Sequence, residues 1–224
     1  AAKIDDQFQA WLQTDLWPEA AAKGISHKTF DAAFDGVKPN LKLPDLVMPG
    51  EKPKIPKVQH QAEFGSPGAY FAEKTLAPVA SGGRARAGQY ASTLAAIEKR
   101  YGVPGPILLA IWGRETGYGA AKMRYDAFEV LGTRAFLSAT KRAMYRTELI
   151  AALEIVQKGL EPPGAMKASW AGALGQPQFM PTSFLKHAVD FDGDGRIDIW
   201  TSVPDTLASI ANYLVHYGDR KSVV

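Results

Sequence analysis

Ile111-Trp112-Gly113-Arg114-Glu115-Thr116-Gly117-Tyr118-Gly119 completes the longest apolar stretch of the chain, Ile107–Trp112, and its reading sets the fold class. Pro104 stands where a first-turn proline starts a helix. Ile107, Leu108, Ile111 and Trp112 continue at helical spacing, and Gly117 and Gly119 end the element. A helix this apolar predicts a buried last turn, and that turn carries Glu115. Desolvation and the negative end of the helix dipole would both raise the pKa of a carboxyl there, toward a value suited to a general acid. The following glycines leave room for a substrate to approach the backbone. The same residues also allow a purely structural Glu115, paired with Arg114 or Arg124.

Working outward, the chain reads as mainly α. Tyr90, Leu94, Ile97 and Tyr101 keep helical spacing up to Gly102. Before them, a helix over Tyr70–Leu76 is expected to end at Ser81-Gly82-Gly83. Toward the N-terminus, Phe8, Trp11, Leu12 and Leu16 mark a helix, and Ser26 caps a second one carrying Phe30 and Phe34. Between these and the rest, Lys38–Lys57 is broken by Pro39, Pro44, Pro49, Pro53 and Pro56, and is expected to run extended over the surface as a strap. Downstream, Leu149, Leu153, Val156 and Leu160 form one stripe of a long helix expected over 138–159. Residues 162–180 read as loop, and Leu207, Ile210 and Leu214 mark a last helix over 204–217, ended by Gly218. At most a short β-hairpin is expected. The division drawn from this is an accessory N-terminal region, 1–57, and a catalytic core, 58–224, with a metal-loop subregion at 188–206.

Composition narrows the function classes. Hydrophobic residues make up 46% of the 224, enough for a sizeable core, and no apolar run approaches the roughly 20 residues that span a bilayer. With no cysteine, disulfides, thiolate metal sites, a Cys nucleophile and a lipid anchor through Cys are excluded for this chain. The net charge of +3 suits an anionic polymer, but the basic residues are dispersed, which argues against nucleic acid. The opening Ala1-Ala2-Lys3 reads as a mature protein whose signal peptide has been removed.

Two further segments carry chemistry. In Ser169-Trp170-Ala171-Gly172-Ala173-Leu174-Gly175-Gln176-Pro177-Gln178-Phe179-Met180-Pro181, small residues can line a groove closely. Gln178 offers both a donor and an acceptor to sugar hydroxyls and N-acetyl groups. In Asp190-Phe191-Asp192-Gly193-Asp194-Gly195-Arg196-Ile197-Asp198, acidic side chains at loop positions 1, 3 and 5 and glycine at position 6 match the start of an EF-hand calcium loop. Arg196 would give its carbonyl. Position 12 is Thr201 rather than Glu, so the closing carboxylate is expected from Asp205 through a longer loop, and the calcium is expected to be structural.

Together these segments resemble the membrane-bound lytic murein transglycosylase B family. The Glu-Thr-x-Tyr-Gly turn, the Ser169–Pro181 loop, the Asp-rich loop and Ala211-Asn212-Tyr213 follow that family in order and spacing. Phe8-x-x-Trp11-Leu12 and Gly24-Ile25-Ser26 extend the likeness to about residues 7–217. The resemblance implies a lysozyme-like helical core with a small accessory helical domain and an EF-hand-like loop. It implies cleavage of the β-1,4 bond between N-acetylmuramic acid and N-acetylglucosamine, with Glu115 as the sole catalytic carboxylate. Ser169 and Gln178 would match groove residues and Tyr213 a substrate-contacting tyrosine; Phe179 and Tyr118 are also expected against the glycan. The Asp loop would match a calcium site that closes with Asp205. The protein is expected to be a periplasmic monomer acting on peptidoglycan strands, with no organic cofactor. Family members continue past the Asn-Tyr helix, whereas this chain stops at Val224, so the resemblance implies that a further C-terminal helical segment is lacking. Two other readings share these residues: a hydrolytic muramidase on the same fold, with Asp126 or Glu129 supplying a second carboxylate, and a calcium-dependent wall-binding module without turnover.

Overall fold

The computed structural model describes residues 2–48, 50–51 and 73–218. Contacts group the chain into two compact units, each built from two segments: Ala1–Lys52 with Met123–Lys186, and Pro53–Lys122 with His187–Val224. The expected division at residues 57–58 lies outside the described residues. The grouping departs from a simple N-terminal cut because the N-terminal helices pack on elements that come a hundred residues later.

In the first unit, α1 (Ala2–Trp11) widens into a π-turn at Leu12–Leu16 and resumes as α2 (Trp17–Ala22). Pro18 explains the wide turn: it has no N–H to give to residue 14 and its ring needs space there. α3 (His27–Phe34) starts at Ser26, whose Oγ accepts from Thr29 N at 3.1 Å, as the sequence predicts. The described start of the strap, residues 38–48, folds back onto α7 (Ala127–Leu137) instead of running extended. Asn40 N donates to Thr133 Oγ1 (2.8 Å), Asn40 Nδ2 donates to Glu129 Oε1 (2.7 Å), and Leu43 is buried. The strap's Pro49, Pro53 and Pro56, with the rest of 52–57, lie outside the described residues. Phe8, Phe34 and Phe128 form the aromatic centre, and Phe8 closes on α7 over Gly132, where a Cβ would stand 3.2 Å from Phe8 Cζ.

The long helix expected over 138–159 is a single, slightly shorter one, and the helix that precedes it went unread in the sequence. α7 ends at Leu137, and α8 runs Arg142–Gln157 after a left-handed Lys141. α7 shows no stripe because it is buried almost all round, so helical periodicity has nothing to contrast with. Its start is fixed by Asp126, whose Oδ1 accepts from Phe128 N and Glu129 N. β-structure is slight, as expected, but the antiparallel pair of β1 (Tyr125–Asp126) with β2 (Lys167–Ala168) is no hairpin, because two α-helices lie between the strands. The short α9 (Pro181–His187) is capped by the buried Glu148, which accepts from Thr182 N and Oγ1.

Ser26 also ties α3 to the end of α8, because its N and Oγ both donate to Gln157 Oε1, at 3.0 and 3.1 Å. Ser26→Ala is expected to cost about 1–2 kcal/mol, read as a fall of about 2–8 °C in Tm.

The second unit consists of α4 (Glu73–Gln89), α5 (Ala91–Tyr101), α6 (Gly105–Thr116), the acidic loop and α10 (Val203–Gly218). Leu94, Ile97, Leu108, Trp112, Leu207 and Ile210 form its core. Gly102 ends α5 in the left-handed conformation, φ 72°, with its N–H on Glu98 O, as expected. α4 runs straight through Ser81-Gly82-Gly83, which was expected to end a helix. The glycines are there for clearance: a Cβ on Gly82 would lie 2.5 Å from Tyr118 Cε2. No helix among the described residues is long and apolar enough to cross a membrane.

Candidate active site

Glu115 lies one residue before the end of α6. Trp112, Gly113 and Thr116 of the same turn are buried, but Glu115 itself is exposed. This corrects the expectation of a desolvated carboxyl. The apolar composition of α6 buries the Leu108–Trp112–Thr116 face, and Glu115 projects from another. The helix ends through Gly117, φ 56°, whose N donates to Gly113 O at 2.9 Å. Beyond it the chain is held by Tyr118 N on Trp112 O (3.3 Å), Gly119 N on Thr116 Oγ1 (3.2 Å) and Ala121 N on Thr116 O (3.0 Å). The carboxylate therefore stands on a rigidly bonded helix end, at the negative pole of the dipole.

Tyr118 was expected against substrate. Its ring is half-buried within the second unit, with Trp112 edge-on at 5.3 Å and the Arg86 guanidinium 4.3 Å above it, and its hydroxyl donates to Val79 O. Burial raises the hydroxyl's pKa above its ordinary value and Arg86 pulls the other way. Arg86 escaped the sequence reading, which saw only dispersed basic residues. Tyr213 is half-buried on α10, 5.2 Å from the His187 ring and 4.5 Å from that of Tyr217. Burial and the hydrogen bond with Tyr217 hold its hydroxyl protonated.

The acidic loop brings Asp190, Asp192 and Asp194 together, with an oxygen of each within 4.8 Å of the others. Gly193 N and Gly195 N donate to Asp190 at 2.7 and 2.8 Å, and Arg196 N to Asp194 at 2.8 Å, so each side chain curls its own stretch of backbone around the cluster. Three hard oxygen donors at this separation fit a calcium ion. Asp205 is not among them. It is fully buried, and it accepts from Phe191 N (2.8 Å), Asp192 N (3.3 Å) and Asp198 N (2.9 Å). Burial pushes its carboxyl above the ordinary range despite those three bonds. In this arrangement it ties the two ends of the loop together. Asp198, at loop position 9, caps the next turn through Trp200 N and Thr201 N.

In the first unit, Ser169 organises its own turn: its N donates to Ala173 O (2.8 Å) and its Oγ accepts from Ala173 N (3.2 Å). Gln178 is left-handed, φ 55°, with Nε2 donating to Gly175 O (2.9 Å) and contacting Met123 Sδ (3.1 Å). Phe179, expected against the glycan, is only 6% exposed; its N and O pair with Leu174, and it supports the loop from inside. Gly172 rests directly on Leu131 at φ 90°, where a Cβ would be 2.5 Å from Leu131 Cδ2. Beneath the loop lies Arg134, 3% exposed, which the sequence reading also missed. Its Nε and Nη2 donate to Trp170 O (3.2 and 3.0 Å) and Nη2 to Pro44 O (2.8 Å). The only signal for it was an Arg inside the apolar run Ala127–Leu137.

Asp126 and Glu129, weighed as a second carboxylate, both have structural partners. Asp126 caps α7 and Glu129 accepts from Asn40.

Comparison with known proteins gives a consistent set of likenesses. The family described as transglycosylase SLT domain matches residues 7–222. Membrane-bound lytic murein transglycosylase B of Escherichia coli is 36% identical over 130 residues, 58% of this chain and 36% of that protein. Among solved structures, SltB3 of Pseudomonas aeruginosa in complex with NAG-NAM-pentapeptide shares 36% identity at a TM-score of 0.78, over 94% of this chain and 53% of that one. The Escherichia coli lytic transglycosylase Slt35 in complex with calcium shares 34% identity at a TM-score of 0.59, over 63% of this chain and 45% of that one. The chain thus spans about a third of the curated relative and about half of SltB3. The mainly helical, lysozyme-like fold expected from the sequence is the fold of these relatives.

Proposed function

We propose, given that this chain belongs to the transglycosylase SLT domain family, that it cleaves the β-1,4 bond between N-acetylmuramic acid and N-acetylglucosamine in peptidoglycan without water, leaving 1,6-anhydromuramyl ends. The observation that carries this reading is Glu115: an exposed carboxyl on a helix end fixed by four hydrogen bonds, three between backbone groups and one from Gly119 N to Thr116 Oγ1.

One carboxyl suffices for the chemistry. The Glu115 carboxyl gives its proton to the glycosidic oxygen as the C1–O bond breaks, and the N-acetyl oxygen of the muramyl residue supports the cation developing at C1. The Glu115 carboxylate then takes the proton of the C6 hydroxyl while O6 bonds to C1. Glu115 ends as it began, and no water enters. A hydrolytic glycosidase would use a second carboxylate, about 5–10 Å from the first. The structural duties of Asp126 and Glu129 favour the one-carboxyl route. Ser169, Gln178 and Tyr213 are assigned to the glycan, and Phe179 to support of the loop that carries the first two. The site of action is the periplasmic face of the wall.

Asp190, Asp192 and Asp194, with the Arg196 carbonyl, hold a structural calcium ion when it is bound; its part is to neutralise three carboxylates and stiffen the loop. Calcium at a hundred times its Kd is expected to add about 2.7 kcal/mol, or about 5–10 °C in Tm. The gain should disappear with chelator and in Asp192→Ala plus Asp194→Ala. A Tm indifferent to both would remove calcium from this account.

The function itself is tested with purified sacculi. Wild type should release anhydromuramyl fragments, and Glu115→Gln none. Sacculus binding without any product from wild type would make the chain a wall-binding module.

A further inference from the structure

Gly117, Tyr118 and Gly119 all have positive φ, of 56°, 61° and 81°. The two glycines adopt this freely, but a bulky L residue does so only when its surroundings hold it there. At Tyr118 the surroundings are a slot made by glycines from two helices. A Cβ on Gly82 of α4 would lie 2.5 Å from the ring, one on Gly113 of α6 would also lie 2.5 Å from it, and one on Gly83 would lie 3.1 Å from the hydroxyl. The ring therefore occupies space that a methyl group at 82 or 113 would take. Trp112 at 5.3 Å and Arg86 at 4.3 Å flank it, and its hydroxyl is bonded to Val79 O in α4.

Glu115 sits between these contacts. The ring presses on residues 112 and 113 of α6 before it, and the same residue's backbone, through Tyr118 N on Trp112 O, closes the turn after it. We propose that Tyr118 is a positioning residue for Glu115, a glycine-seated wedge between α4 and α6 that sets the direction in which the helix end presents its carboxyl. Its expected contact with the glycan is replaced by this role. The inference rests on Glu115 as the acid. Catalysis by a single positioned group is sensitive to displacements on the order of 1 Å, which can cost about a hundredfold in rate. The wedge therefore acts on kcat and leaves glycan affinity alone.

The test uses four variants in the same chain, with Tm measured for each and kinetics run at least about 20 °C below the lowest Tm, so that loss of fold does not enter. Tyr118→Phe keeps the ring and is expected to retain most of kcat. Tyr118→Leu empties the slot and is expected to lower kcat about 30–100-fold, with KM within about twofold of wild type. Gly113→Ala, ordinarily favourable inside a helix, expels the ring and should reproduce that kcat loss with a lower Tm. Combined with Tyr118→Leu it should cost nothing further, because the methyl group then fills vacated space. Additive losses in Tm for the pair would overturn the wedge without any reference to activity. A raised KM at unchanged kcat in Tyr118→Leu would overturn it in favour of a glycan contact. Undiminished activity in Glu115→Gln, by contrast, would overturn the acid assignment while the Tm coupling of residues 113 and 118 still stood.

Discussion

Glu115→Gln is expected to lower the release of fragments from sacculi by about a thousandfold or more, with Tm within about 1 °C of wild type. Glutamine keeps the shape of the side chain and removes its titrating proton. In the proposed reaction the same carboxyl serves twice, giving a proton to the leaving oxygen and taking one from the C6 hydroxyl, so its loss would impair both halves. Because Glu115 is exposed while Trp112 and Thr116 face the core, the substitution leaves the packing of α6 untouched. A loss below about tenfold, measured by soluble fragments per minute, would mean that another group carries the proton.

Arg134→Met is expected to be the most damaging substitution away from Glu115, at about 3–5 kcal/mol, or roughly 10 °C or more in Tm. The three hydrogen bonds of Arg134 run to the carbonyl oxygens of Pro44 and Trp170, and its guanidinium lies 5.3 and 5.5 Å from the Tyr145 and Trp170 rings. Methionine fills much of the volume but leaves both carbonyls without that donor, each at about 1–3 kcal/mol. Arg134→Lys should recover less than half of the loss, since an ammonium lacks the fork that reaches both carbonyls. Because Trp170 follows Ser169 directly, loosening this clamp should also weaken the turn that Ser169 organises. Thermal unfolding decides it: a change under about 1 kcal/mol would show that the carbonyls find other donors.

Features governed by local chemistry were legible in the sequence. Gly102 and Gly117 read as helix ends because a left-handed residue is needed there, and Ser26 read as a cap because its side chain serves an amide three residues on. The Asp190–Asp194 cluster was legible because its spacing alone folds the loop. Features decided by distant neighbours were not. Ser81-Gly82-Gly83 read as a stop, yet its glycines clear the way for the Tyr118 ring. α7 gave no periodic signal because partners cover nearly every side of it. Asp205 read as a ligand from its place after the loop, whereas three backbone amides claim its oxygens. Glu115 was singled out from its place at a helix end, but the apolar character of that helix hid the face from which it projects.

The chemistry of the cut is tested most directly by digesting purified sacculi in ¹⁸O-enriched water and weighing the products by mass spectrometry. The account predicts muramyl ends one water lighter than reducing ends, free of ¹⁸O, and absent with Glu115→Gln. Reducing ends carrying ¹⁸O would contradict it, because water would then have taken the place of the C6 hydroxyl.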